Sequence, residues 1–192
     1  MEEEIFKFLS KYITLTEEQK RIVSENSFFQ FFPAGTELLR EGQYANACYF
    51  VIKGVVRSYY LMNGEEKITD FYTEIMPITP VSYTTGEASN HFISCVEDCV
   101  LTVSNKETSQ EFLELIPGMK DIGLQIMTEL NAKQQVSADY FKILDPEQRY
   151  AKFLETAPDL VNRVPQYMIA SYLGIQPQSL SRIRKRIRDQ RG

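Results

Sequence analysis

Residues Pro165–Arg188 read PQYMIASYLGIQPQSLSRIRKRIR. Ile169, Ala170 and Leu173 share one side of a short helical period. Gly174 follows, able to take the positive φ of a sharp turn. Pro177 then opens a second helix, whose Leu180, Ile183 and Ile187 stand at offsets of 0, 3 and 7. Ala170 is small enough for two helices to approach closely. A small residue, a glycine four later, and apolar residues six and nine beyond the glycine make the spacing of a helix-turn-helix.

With the apolar side assigned, the other side carries the chemistry. Gln178, Ser181, Arg182 and Lys185 lie at offsets of 0, 3, 4 and 7 on the outward face near the start of the second helix. That end of such a helix enters the major groove of double-stranded DNA, where an arginine can pair with guanine and a glutamine with adenine. These four residues are the expected base readers. Arg184, Arg186 and Arg188 flank them and suit phosphates. A basic run alone would be read as a solvated helix; the turn pattern before it favours DNA.

Charge follows the same division. The chain has 192 residues, with 21 Lys and Arg against 26 Asp and Glu, a net charge of -5. Residues 163–192 hold seven basic side chains and one acid, which leaves fourteen basic and twenty-five acidic residues before them. An acidic body of -11 and a basic end of +6 suggest two modules with different partners.

Upstream, the period changes twice. Residues 3–25 read as a helix and its continuation, with Thr16 before Glu17-Glu18 as a helix start. Phe28–Phe32, Glu37–Leu39, Cys48–Ile52, Val55–Met62, Lys67–Tyr72 and Phe92–Val103 are rich in β-branched and aromatic residues. They are divided by turn signals, of which Asn63-Gly64 is the sharpest. Many short strands predict a sandwich, jelly roll or small barrel. Beyond Ser104 a long helix is expected to open at Pro117. Met119, Ile122, Ile126 and Leu130 lie on one face of it, and Phe141 and Leu144 extend the stripe. Such a helix either lies across the β module or forms a two-stranded coiled coil along a dimer axis; its length favours the dimer. Asp145-Pro146-Glu147-Gln148 reads as an N-cap, a first-turn proline and a capping-box partner.

Composition excludes several classes. No apolar run approaches the ~20 residues of a membrane span, and acidic Met1–Glu4 is unlike a signal peptide, so a cytoplasmic protein is expected. Cys48, Cys95 and Cys99 have no paired spacing and are expected to pack as small apolar residues. His91 is the only histidine, which excludes a multi-histidine metal site and argues against haem and against a cupin-type enzyme. No cofactor, metal or catalytic residue is expected.

Taken whole, the chain resembles the cyclic-AMP receptor/fumarate-nitrate regulator (Crp/Fnr) transcription factors, especially their short Bacteroidetes-type members. The resemblance rests on PAGTELLREGQ (Pro33–Gln43), CYFVIKGVVRSYY (Cys48–Tyr60) and RVPQYMIASYLGIQPQSLSRIRKRIR (Arg163–Arg188). It implies an α+β fold with an N-terminal β-roll (a jelly roll like a cyclic-nucleotide-binding domain), a long dimerisation helix and a C-terminal helix-turn-helix. The expected domains are 1–115, 116–144 and 145–192. It further implies a homodimer on a palindromic DNA site, with RNA polymerase as a candidate partner. Gln178, Ser181 and Arg182 match the family's base-reading positions.

Two departures qualify the resemblance. Cyclic-nucleotide binders of the family carry a Gly-Glu pair and then Arg-Ser/Thr-Ala around the cyclic phosphate. Here the stretch is EIMPITPVSYTTGEASNHFIS (Glu74–Ser94), without Lys or Arg, and the arginine's place falls near Ser89. A buried phosphate without a cation is costly. Gly86-Glu87 is expected to be a loop turn, not that pair. Cyclic nucleotide binding is therefore not expected. The effector is unknown, and Tyr83, Thr84 and Thr85 either line a pocket for it or are exposed loop residues. Family members also often carry a β-hairpin wing after the recognition helix. Here Gly192 ends the sequence, and Arg188 and Arg191 are expected to replace some backbone contacts. The alternatives are a roll answering to a cyclic nucleotide or other small effector, or to a protein partner.

Overall fold

The computed structural model describes residues 2–26 and 29–191, so the expected strand start at Phe28 lies outside the described residues. The chain divides into two compact units, residues 1–59 with 71–128 and residues 60–70 with 129–192.

Among the described residues the strands of the roll are β1 (Phe29–Phe32), β2 (Glu37–Leu39), β3 (Cys48–Lys53), β4 (Val56–Met62), β5 (Glu65–Tyr72), β6 (Pro77–Ile78), β7 (Phe92–Cys95) and β8 (Cys99–Ser104). They form two four-stranded sheets, ordered β1-β8-β3-β6 and β2-β7-β4-β5. Leu39, Val56, Ile93 and Cys95 from one sheet meet Val51, Ile78, Cys99 and Leu101 from the other in one buried cluster. Side chains as completely buried as Val51 and Leu101, both 0% exposed, each contribute about 1.5–3 kcal/mol relative to exposure. The outer face of the first sheet is covered by helices. Ile5 and Leu9 of α1 (Glu2–Leu9), Val23 of α2 (Glu17–Asn26), Ile116 and Met119 pack on Ile52, with Phe29, Phe50 and Val100 beside them.

Several expectations from sequence are corrected here. Residues 3–25 are two helices, because the chain turns after Leu9; Thr16 does start the second, exchanging bonds with Gln19. The run Phe92–Val103 is two strands, separated by a turn in which Asp98 accepts the Ala34 amide. The long helix is α5 (Met119–Ile143), opening two residues after Pro117 because Gly118 takes a φ of 83° between them. Three helices stand where none was expected: α3 (Val81–Thr85), α4 (Lys106–Leu115) and α7 (Leu160–Arg163). Asn63 and Gly64 have φ of 54° and 80°, the paired positive values of a type I′ hairpin.

The second unit contains the end of α5, then α6 (Pro146–Thr156), α7, α8 (Gln166–Tyr172) and α9 (Pro177–Arg191). Asp145 caps α6 through a reciprocal capping box with Gln148, as expected from sequence. Its core holds Tyr150, Phe153, Leu160, Ile169, Ala170, Leu173 and Leu180, all at most 5% exposed.

Candidate nucleic-acid interface

The turn between α8 and α9 is built to a defined geometry. Gly174 has a φ of 63°, and its amide donates to Ser171 O. The Ile175 amide donates to Ala170 O at 2.9 Å, one residue further back. These two bonds make a Schellman motif, which satisfies carbonyls that a helix end would otherwise leave bare. Ala170 is fully buried, so a larger side chain would push the helices apart. Arg149 of α6 braces the same turn, donating from Nη1 to Leu173 O at 2.6 Å while its guanidinium lies 5.8 Å from the Phe141 ring. A Cβ at position 174 would stand 3.2 Å from that Nη1.

Helix α9 presents two unlike sides. Leu180 and Ile183 are buried and Ile187 is half-buried, while Gln178, Ser181, Arg182 and Lys185 are all exposed. The four expected base readers thus stand together on the open face. The expected phosphate residues differ among themselves. Arg184 is half-buried and, with Ser181, Lys185 and Arg188, lines a groove also bounded by Tyr150 and Gln166. Arg186 is paired with Glu147 of α6, and Arg188 lies 3.7 Å from Asp189. Sequence reasoning missed Glu147 as a competitor for Arg186, although its place in the first turn of α6 was read correctly. It also missed Arg149, because a lone arginine in a helical period gives no sign that it will reach a turn twenty-four residues away. The side chain of Arg191 lies outside the described residues.

A cyclic nucleotide would be the ligand implied by the roll, and the residues do not fit one. Ser89 is buried; its hydroxyl donates to His91 O, its amide to Gln43 O, and its carbonyl accepts from Gly42. Ser89, near which the resemblance puts that arginine's place, is thus a small side chain whose bonds stay within the protein. Ser82 accepts the Ala45 amide and donates to Glu87 O, which closes the next loop internally. Gly86 has a φ of 74° at the end of α3, a turn as expected. Two adjacent clefts, of about 320 and 330 Å³, are lined by Tyr44, Ala45 and Asn46, the second also by Tyr83 and Lys106. Lys106 Nζ lies 5.6 Å from the Tyr83 ring. Tyr83 is half-buried, and Thr84 and Thr85 are exposed.

Burial raises the Cys48 thiol pKa, partly opposed by bonds to Thr79 and Tyr83. The hydrogen bond to Cys99, and burial, push Cys95 upward. Such thiols stay protonated and behave as packing groups. Burial lowers His91. Among the described residues no group of three or more His, Cys, Asp or Glu side chains could hold a metal ion, and no helix is long and apolar enough to cross a membrane.

Solved structures share this architecture over most of its length. FixK2 from Bradyrhizobium japonicum is similar with a TM-score of 0.70 at 16% identity, covering 85% of each chain. The c-di-GMP-responsive global regulator CLP from Xanthomonas campestris gives 0.67 at 17%, covering 91% of this chain and 93% of that one. Catabolite activator protein from Thermus thermophilus gives 0.55 at 16%, covering 93% and 86%. No curated protein matches the sequence. The chain therefore has the fold of the Crp/Fnr transcription regulators. Its residues 29–115 match the model of the cyclic nucleotide-binding domain family.

Proposed function

We propose that this chain is a cytoplasmic, homodimeric, sequence-specific DNA-binding transcription regulator and not an enzyme. In this reading Gln178, Ser181, Arg182 and Lys185 read bases, and Arg184, Arg186 and Arg188 hold phosphates. The observation that carries it is the exposed polar face of α9, set opposite buried Leu180 and Ile183 and preceded by a Schellman turn. Residues 1–115 form the sensor-like part, 116–144 the dimerisation segment and 145–192 the DNA-binding part. RNA polymerase is the further partner such a regulator would meet.

The dimer reading is supported by α5. Met119 and Ile122 are spent on burial within the protomer, whereas Leu124, Met127, Asn131, Gln134 and Ala138 are exposed. Their spacing of three, four, three and four residues is that of a coiled-coil seam, with polar groups in its middle. The seam is thus rotated from the stripe Met119, Ile122, Ile126 and Leu130 that the sequence singles out.

The roll does not take a cyclic nucleotide in this reading, because Ser89 offers a phosphate no charge. Fluorescence-anisotropy titration against DNA selected from a random pool, over a salt series with and without cyclic AMP, tests the reading. Tight, salt-dependent binding to a palindrome, indifferent to the nucleotide, is expected. Binding only with cyclic AMP would overturn the assignment of the roll, and binding without sequence preference would overturn that of α9.

A further inference from the structure

Ser171 lies on the first helix of the helix-turn-helix, one residue after fully buried Ala170. Its hydroxyl is half-buried and does not bond back along α8. It accepts the amide of Ile68 at 3.0 Å and donates to the carbonyl of Glu66 at 2.8 Å. Both partners belong to β5, which occupies an edge of its sheet. An amide and a carbonyl two residues apart on one edge are the pair that a neighbouring strand would use. One serine side chain takes the place of that strand. Ile68 is itself buried, so its amide has little water to fall back on. Beside it, Tyr172 meets Phe141 edge-on and Phe153 at a tilt, with ring centroids 5.7 and 5.9 Å apart.

We propose that Ser171 is a positioning residue for DNA recognition: its two-way bond to β5 holds α8, and with it α9, in one orientation against the β4–β5 hairpin. This rests on the DNA-binding reading of α9. The bond is reciprocal, so it fixes direction as well as distance. Holding the helix pair in one orientation before DNA arrives removes part of the ordering cost of binding. None of the base-reading residues takes part in the contact, so its loss should weaken binding without altering which bases are preferred.

The test compares wild type with Ser171→Ala and Ser171→Thr, the second keeping the hydroxyl. Amide hydrogen exchange at Ile68 reports the contact itself, and anisotropy on the selected palindrome reports its consequence. Ser171→Ala is expected to speed Ile68 exchange and to raise the Kd about fivefold with unchanged base preference, the loss of roughly one to two net hydrogen bonds. Ser171→Thr is expected to restore both. Faster exchange with an unchanged Kd would overturn the positioning role while leaving the bond intact. Unchanged exchange at Ile68 would show that the contact does not hold in solution and would overturn it at its root. If even wild type failed to bind DNA, the reading of α9 would fall and the positioning role with it. Ile68 exchange would then separate that failure from a missing contact.

Discussion

Arg182 and Lys185 sit one turn apart on the same exposed face and should behave differently when removed. Arg182→Ala is expected to cost about 1–3 kcal/mol on the preferred site and to relax choice at one base pair, read by competition with single-base variants. Lys185→Ala, if its main partner is a phosphate, should weaken all sequences alike and lower the salt slope by about one. This comparison decides whether Lys185 belongs with the base readers, where its position on the helix places it. Gly174 is the other sensitive residue. Its φ of 63° strains any side chain, and a Cβ would crowd the guanidinium that satisfies Leu173 O. Gly174→Ala should lower stability by about 1–2 kcal/mol in denaturant unfolding and reduce DNA affinity through the displaced turn.

At the scale of elements, α5 makes the clearest claim. Leu124 is 70% exposed on a 25-residue helix, an expensive place for leucine unless a second copy covers it. Leu124→Glu should therefore shift dimer to monomer in light scattering and abolish tight binding to a two-half-site DNA, while one half-site is still bound weakly. Elements whose stability is local were readable in advance: the capped start of α6, the Asn63-Gly64 hairpin and the glycine turn all announce themselves within four residues. What escaped the sequence is set by partners distant in the chain. The exposed row of α5 could not be told from its buried stripe, because Met119 is claimed by α1, α2 and β3 residues more than sixty positions away. Helix α4 is a different case. Its Asn105 and Thr108 form a complete capping box, a local signal that lies in the sequence between two stronger patterns. In the site, the exposed polar face of α9 was legible because burial and period are both local to that helix. The Glu147–Arg186 pair was not, since it joins residues thirty-nine apart.

For the whole molecule, acid should act before the carboxylates do. Burial depresses the pKa of His91 from its ordinary 6.5, so the folded state prefers a neutral imidazole. The stabilising effect is complete above about pH 6.5, and it is lost as pH falls toward the folded-state value, because the unfolded chain takes up its proton first. Thermal melts between about pH 7.5 and pH 5.5 should show this decline, and His91→Gln should flatten it. A regulator reading two half-sites must also hold two α9 helices about 34–36 Å apart, so anything that frees α8 is felt in the assembled dimer.

The edge of β5 carries one more consequence, for the behaviour of the chain in a crowded solution. Unpaired groups along a sheet edge are where strands of separate molecules add to one another and aggregates begin. By occupying Glu66 O and Ile68 N, Ser171 withdraws one such docking point from the surface. A change that loosens α8 would at the same stroke uncover a place for unwanted self-association, so weaker docking of α8 and loss of colloidal stability should travel together.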